Sequence, residues 1–287
     1  MKLSIETHVA RQHLGVYEGI KAIKDAGFDA FDFSYYWLSE GESNEIIGEG
    51  YIEYVKKLKS YIDEIEIVCN QAHAPFDFKY GMKMDETEPT YTGIVHSIES
   101  AAILGAENIV VHAIGGAPED EFEEYNLKFY RSLAPYAEKF GIHIAVENLF
   151  KWSPENGPYP RILGTPTELS NFIKKLDSEV FTACIDVGHA AITETEPEDF
   201  ISGMSRGVVK ALHIQDSNYI TDCHTIPYLG RINWDNVAEA LKNKEYDGDL
   251  TLEVFGFLGS FPKELFPDAL KLAERTGRAI IAKIEKL

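Results

Sequence analysis

Acids and imidazoles recur in this 287-residue chain wherever a short apolar run stops. NQAHAPF ends such a run at His73, IVVHAIGG at His112 and IAVENLF at Glu147. CIDVGHA supplies Asp186 with His189 one turn on, LHIQDS supplies His213, and LTLEVF supplies Glu253. Between the last two, TDCHTIP carries Asp222 and His224. A lone Glu or His in such a place is usually a hydrogen-bonded structural group. Six runs in succession ending this way are not independent accidents. Carboxylates gathered in a buried site repel one another unless protons or a cation neutralise them. Glu147, Asp186 and Glu253, joined by His213, make an oxygen and nitrogen donor set suited to Mn²⁺, Mg²⁺, Co²⁺ or Zn²⁺. No thiolate is needed, which argues against a structural Cys-type zinc site.

For these residues to meet, the runs that carry them must be neighbouring strands. The strand candidates are Leu3–Glu6, Ala30–Phe33, Glu66–Gln71, Asn108–Val111, His143–Val146, Phe181–Ile185, Val209–Ile214 and Leu250–Val254. Apolar spacing near 3.6 predicts helices over Gly15–Ala26, Glu45–Ile62, Glu88–Leu104, Glu119–Phe140, Pro166–Leu176, Pro197–Gly203, Trp234–Lys242 and Pro262–Lys286. Gly27, Gly105 and Gly141 each stand between a helix and a strand, where a left-handed residue closes the helix. Thr165-Pro166-Thr167-Glu168 and Thr195-Glu196-Pro197-Glu198 read as helix starts. Strict alternation implies a parallel sheet, and eight units imply closure into a single α/β domain over 1–287, a (β/α)8 TIM barrel. A doubly wound open sheet would carry a Gly-rich phosphate turn after the first strand, whereas this turn is Glu6-Thr7-His8-Val9-Ala10. In a barrel the strand ends listed above share one mouth, where active sites lie.

Composition narrows the function. The formal net charge of −20 disfavours nucleic acid as a partner, because phosphate backbones are held by clustered Lys and Arg. No run reaches the roughly 18 apolar residues of a membrane span. Met1 to Asp29 has no signal-peptide core, and Cys69, Cys184 and Cys223 form no paired framework, so a cytoplasmic protein with reduced thiols is expected.

The motifs HAPF, VVH, VEN, IDVGH, LHIQD with the following DxH loop, and LEVF resemble the xylose isomerase-like TIM-barrel superfamily over essentially the whole chain. That superfamily holds sugar-phosphate isomerases and epimerases and the AP endonuclease IV type of DNA-repair enzyme. In the sugar branch, the resemblance implies one divalent metal on Glu147, Asp186, His213 and Glu253, with the two glutamates as the acid/base pair and His189 on the substrate. In the endonuclease branch, His73, His112, His189, Asp222 and His224 join the four to hold three zinc ions. One ion is therefore the expectation and three the upper bound, with His73 and His112 placed on sugar hydroxyls or on the metal's ligands. The loop Pro227–Trp234 is closer to the sugar branch, although Asn233 stands where that branch usually has Asp. Related barrels often pair as dimers or tetramers, but no surface in this sequence reads as an interface.

The chemistry expected is removal of a proton beside a carbonyl of a sugar or sugar phosphate and its return elsewhere, through an enediolate that a metal stabilises. Glu147 and Glu253 would act as base and acid on opposite faces. His189, Arg231, Trp37 and Phe76 are the candidate substrate contacts, with Tyr35, Tyr36, Phe78, Phe150, Trp152, Phe255 and Phe257 as further loop aromatics. Four other readings use the same residues. They are a phosphodiesterase on abasic DNA, a lyase on an oxidised sugar or glycoside, a glycosidase carboxylate pair, and a barrel that binds carbohydrate without catalysis.

Overall fold

The runs LSIE, NIVV and FTACID are buried along their whole length, as strands covered on both faces must be. A computed structural model describes residues 1–36, 45, 47–76, 78–153, 157–160 and 163–287, with 152–153 and 157–160 as backbone only. In chain order the elements begin β1 (Leu3–Glu6), α1 (His8–Leu14), α2 (Val16–Ala26), β2 (Ala30–Ser34), α3 (Tyr51–Glu64) and β3 (Val68–His73). They continue with α4 (Pro89–Leu104), β4 (Asn108–Val111), α5 (Phe122–Phe140), β5 (His143–Glu147), β6 (Phe150–Ser153), β7 (Gly157–Pro160) and α6 (Pro166–Leu176). The last are β8 (Phe181–Asp186), α7 (Val187–Ile192), α8 (Pro197–Gly203), β9 (Val209–His213), α9 (Trp234–Asn243), β10 (Leu250–Leu252), α10 (Phe255–Leu258) and α11 (Phe266–Lys286).

Eight strands run parallel in the order β10-β1-β2-β3-β4-β5-β8-β9. The ends of that row meet through Ile214 opposite Leu252, with Ile214 N–H donating to Thr251 O at 2.8 Å and Glu253 N–H to Ile214 O at 3.0 Å. This closes the (β/α)8 barrel. The antiparallel pair β6-β7 lies outside the sheet, in the loop after β5. Among the described residues, no helix is long and apolar enough to cross a membrane.

The predicted helix stops are realised, with Gly27, Gly105 and Gly141 at φ of 108°, 97° and 69°. Thr165 Oγ1 accepts from Glu168 N–H at 3.3 Å and lies 3.0 Å from Glu168 Oε2, capping the start of α6. Asn233 caps α9, its Oδ1 accepting from Asp235 N–H at 3.1 Å and Asn236 N–H at 3.3 Å, so the Asn in place of Asp keeps this role. The eighth strand stops at Leu252 rather than Val254, because Phe255–Leu258 turns into a helical segment that packs Leu258 inward. Periodicity also did not mark α1, α7 or the β6-β7 pair, each only seven residues or fewer per element.

Strand geometry sets where the chemistry sits. Val110, Ala145, Cys184 and Ala211 form a small apolar cluster inside the barrel. Side chains alternate between faces along a strand, so positions two residues on, His112, Glu147, Asp186 and His213, also point inward and one layer nearer the mouth. Most of the apolar core lies outside this layer, between strands and helices.

Backbones approach closely where α1 crosses α2. A Cβ on Gly19 would lie 2.9 Å from the Ala10 carbonyl carbon and oxygen. Gly19→Ala should therefore destabilise the fold by about 1–3 kcal/mol through overpacking, seen by calorimetry as a midpoint lower by roughly 2–8 °C.

Candidate metal centre and active site

Glu147 ends β5 and is fully buried. Its Oε2 accepts from His112 Nε2 at 2.7 Å, and its Oε1 lies 3.1 Å from His213 Nδ1 and 3.4 Å from His189 Nδ1. Glu253 follows β10, with Oε2 3.5 Å from His213 Nδ1 and 3.4 Å from His224 Nδ1. Asp186 ends β8 and caps the short α7, accepting from His189 N–H at 2.7 Å. Asn148 ties β5 to β8, accepting from Asp186 N–H at 2.7 Å and donating to Asp186 O at 2.9 Å. Glu147, Asp186, His213 and Glu253 bring one donor atom each to within 4.8 Å of one another.

Two further groups meet the same criterion. They are His73, His112 and Glu147, which share the last residue with the first group, and His189, Asp222 and His224. The histidines are oriented from behind. His73 Nδ1 faces Ala74 O at 2.8 Å, His189 Nδ1 faces Asn148 O at 3.0 Å, and His224 Nδ1 faces Glu253 O at 3.2 Å. A carbonyl only accepts, so each Nδ1 carries the proton, and in the neutral ring Nε2 presents a lone pair to the cavity. His213 is reversed. Its Nε2 faces Asp32 Oδ2 at 3.6 Å, and Asp32 is held by Gln71 Nε2 at 2.6 Å, which leaves Nδ1 toward the two glutamates. Partners of this kind fix the tautomer of metal-binding histidines.

His112 Nε2 lies 3.0 Å from His73 Nε2 and 2.7 Å from Glu147 Oε2. One ring nitrogen offers either a proton or a lone pair, so it cannot satisfy both neighbours by hydrogen bonding, whereas a cation between them would. The donor set thus fits a divalent metal. Asp222 reaches in from the loop after β9, which Asp216 holds in place. The Asp216 carboxylate accepts from Ser217 N–H at 2.8 Å, Tyr228 N–H at 2.8 Å, Ile232 N–H at 3.1 Å and Trp234 Nε1 at 2.9 Å. Gln215 Nε2 donates to Asp186 Oδ2 at 3.0 Å and to Asp222 Oδ1 at 3.1 Å, bridging two of the groups. A Cβ on Gly188 would fall 2.5 Å from the Gln215 side chain, so glycine leaves the room this bridge needs.

A cavity of about 490 Å³ lies over the ligands, walled by Tyr36, Phe76, Phe150 and Phe255 among others. Tyr36, expected as a wall, also donates from its hydroxyl to Glu253 Oε1 at 2.8 Å. Phe76 stacks on His112 at a centroid distance of 5.1 Å. Arg231 does not line this cavity; it is exposed, with its guanidinium 5.5 Å from the Tyr219 ring centroid. Trp37 lies outside the described residues, as does the side chain of Trp152. Tyr35 and Phe78 belong to the apolar core instead. Sequence reasoning did not single out Asp32, Gln215, Asp216 or His8. The LHIQD motif contained two of them, and Asp32 was marked only by its inward position on the second strand.

Burial and charge compete at every group. Burial raises the Asp186 carboxyl to about 6, against the pull of His189. Burial likewise raises Glu6, below the cavity, to about 8. For Glu147 burial is outweighed by His213 and His112, which hold it well below the usual carboxylate range. For His224 burial is outweighed by Glu253 and the hydrogen bond to Asp222, which raise it to about 9. Burial pushes the Cys184 thiol up to about 12, so it is inert at neutral pH.

With this geometry in view, the comparisons decide the family. The model of the xylose isomerase-like TIM barrel matches residues 20–276. The chain belongs to that family. It is 30% identical over 245 residues to an uncharacterized protein of Methanocaldococcus jannaschii, covering 82% of this chain and 77% of the other. D-psicose 3-epimerase of Ruminiclostridium cellulolyticum is 28% identical over 168 residues, 52% of this chain and 51% of the epimerase. The crystal structure of a D-tagatose 3-epimerase-like protein superimposes with a TM-score of 0.76 at 24% identity, covering 100% of this chain and 99% of that one.

In the metal-free protein, protons must do the neutralising. His224 binds its proton more tightly folded, at about 9 against an ordinary 6.5, so its contribution is complete below pH 6.5 and is lost as pH rises through 9. Glu6, raised to about 8, acts in the same direction, since its ionisation is costlier in the folded state. The melting temperature in chelator should therefore fall steadily from pH 6.5 to 9, and His224→Gln should flatten the fall.

Proposed function

We propose that this protein is a divalent-metal-dependent isomerase or epimerase of a sugar, with Glu147 and Glu253 as its acid/base pair. The observation that carries the reading is the convergence of these two buried carboxylates on His213 Nδ1, at 3.1 Å and 3.5 Å, beneath an aromatic-walled cavity. The epimerase activity named for one relative and the epimerase-like fold of another support it. A divalent ion on Glu147, Asp186, His213 and Glu253 would supply Lewis-acid stabilisation of enediolate charge.

The arrangement of the residues supports a reading of the remaining tasks. Glu147 and Glu253 reach the floor of the cavity from different strands, so a sugar carbon between them meets one carboxylate on each face. One removes the proton and the other returns it. The Tyr36 hydroxyl orients Glu253, and His112 orients Glu147. His189, which lines the cavity with Nε2 3.6 Å from Asp222 Oδ2, is placed to bind a substrate oxygen. Phe76, Phe150 and Phe255 offer ring faces to sugar C–H bonds and exclude water.

Deuterium exchange into a ketose in D₂O should depend on added Mn²⁺, Co²⁺ or Zn²⁺. Glu147→Gln and Glu253→Gln should each lower its rate by about 10²-fold or more. Failure of the wild-type protein to bind any of these ions would remove the proposal.

A second reading has its own support. The three carbonyl-anchored histidines and the grouping of all nine residues into three sets suit three ions and phosphodiester hydrolysis. Metal content separates the two. About one ion per chain with no cleavage of abasic duplex is expected for the sugar enzyme, and three ions with cleavage for the phosphodiesterase.

A further inference from the structure

The cavity above the ligands continues past Phe150. A second cavity, of about 390 Å³, shares Ala113, Gly115, Leu149 and Phe150 with the first as common walls. The first, about 490 Å³, already lies within the roughly 300–1,000 Å³ typical of a small-molecule site. The adjoining space leaves room for a group attached to the sugar. Its own walls are largely apolar, with Ala117, Phe122 and Leu163 facing the backbone of Gly116 and the stem of Lys151. Such a lining matches the C–H face of a ring more closely than a phosphate.

Gly115 keeps the two spaces joined. A Cβ built there meets no protein atom within 4 Å, so a side chain would enter the shared space rather than the core. The backbone at Gly115 is not left-handed, so it needs no glycine for conformational reasons. Phe150, edge-on to His189 at 5.2 Å between ring centroids, forms the shoulder between the acid/base end and the second space.

We propose that the substrate is a glycoside, with its sugar ring over the acid/base pair and its aglycone in the second cavity beside Gly115. This rests on the sugar reading above and adds a chemical requirement. A glycosidic bond prevents the anomeric carbon from opening to a carbonyl, so the ring itself must carry a ketone. Proton removal beside that ketone gives an enediolate, and return of the proton to the opposite face restores the ketone, with no net oxidation. The reaction that supplies the substrate is then the oxidation of a ring alcohol of a glycoside.

The probes are phenyl and methyl 3-keto-glucosides, phenyl and methyl β-D-glucosides and D-fructose, used with the metal-loaded protein and its variants. Calorimetry should find phenyl glucoside bound at least about tenfold tighter than its methyl counterpart. In D₂O, the phenyl keto-glucoside should exchange with a KM lower by a similar factor. Gly115→Leu, on the shared wall, should abolish both preferences. Ala117→Leu, which lines only the second cavity, should abolish them while leaving methyl keto-glucoside and fructose unchanged, and guards against a misfolded first variant. Equal binding of phenyl and methyl forms, or an equal loss for all sugars in both variants, would overturn the proposal. Preferential phenyl binding without any proton exchange would instead keep the second cavity and remove the epimerase reading.

Discussion

Three carboxylates, Glu147, Asp186 and Glu253, are buried within a few ångströms of one another, and no lysine or arginine among the described residues lines the space above them. Concentrating like charge in a low-dielectric site is the costliest arrangement in this molecule. Everything around it answers that cost. Histidines surround the acids, donors from Gln215, Asn148 and Tyr36 orient them, and strand ends rather than loops hold Glu147, Asp186 and His213. Without a metal, protons on His189, His213, His224 and Asp186 carry the compensation, and each of these groups is held above its ordinary range.

The barrel makes this affordable. The small cluster of Val110, Ala145, Cys184 and Ala211 fills the lumen directly below the acids with side chains too short to crowd them. The next inward layer is free to be polar, and the large apolar core between sheet and helices supplies the stability. Precision on the loop side comes from one residue, Asp216, whose four accepted hydrogen bonds fix the chain that brings Asp222 and His224 to the site.

Glu147 belongs both to the four-residue group and to the pair of histidines on the neighbouring strands, so any change of charge at one is felt at the other. The aromatic cavity sits at the end of this chain of contacts, lined by His189, Glu147 and Glu253, while Asp186 lies buried outside its lining.

Much of this was legible in one dimension. Alternating β and α runs, glycines after helices, and a polar residue at each strand end specify a parallel barrel with a charged mouth, because strand period and side-chain direction are local properties. All eight strands and the eight expected helices stand close to their expected positions, the seven-residue α8 marked by Pro197 at its start rather than by a period. The short α1, α7 and α10 were not legible, since a turn or two of helix has no period to read. Neither were the distances that group nine residues into three sets, the Asp32 carboxylate behind His213, the exposed placement of Arg231, or the passage at Gly115. Those depend on how far each strand is staggered against its neighbour and on where loops return, which only closure of the sheet decides.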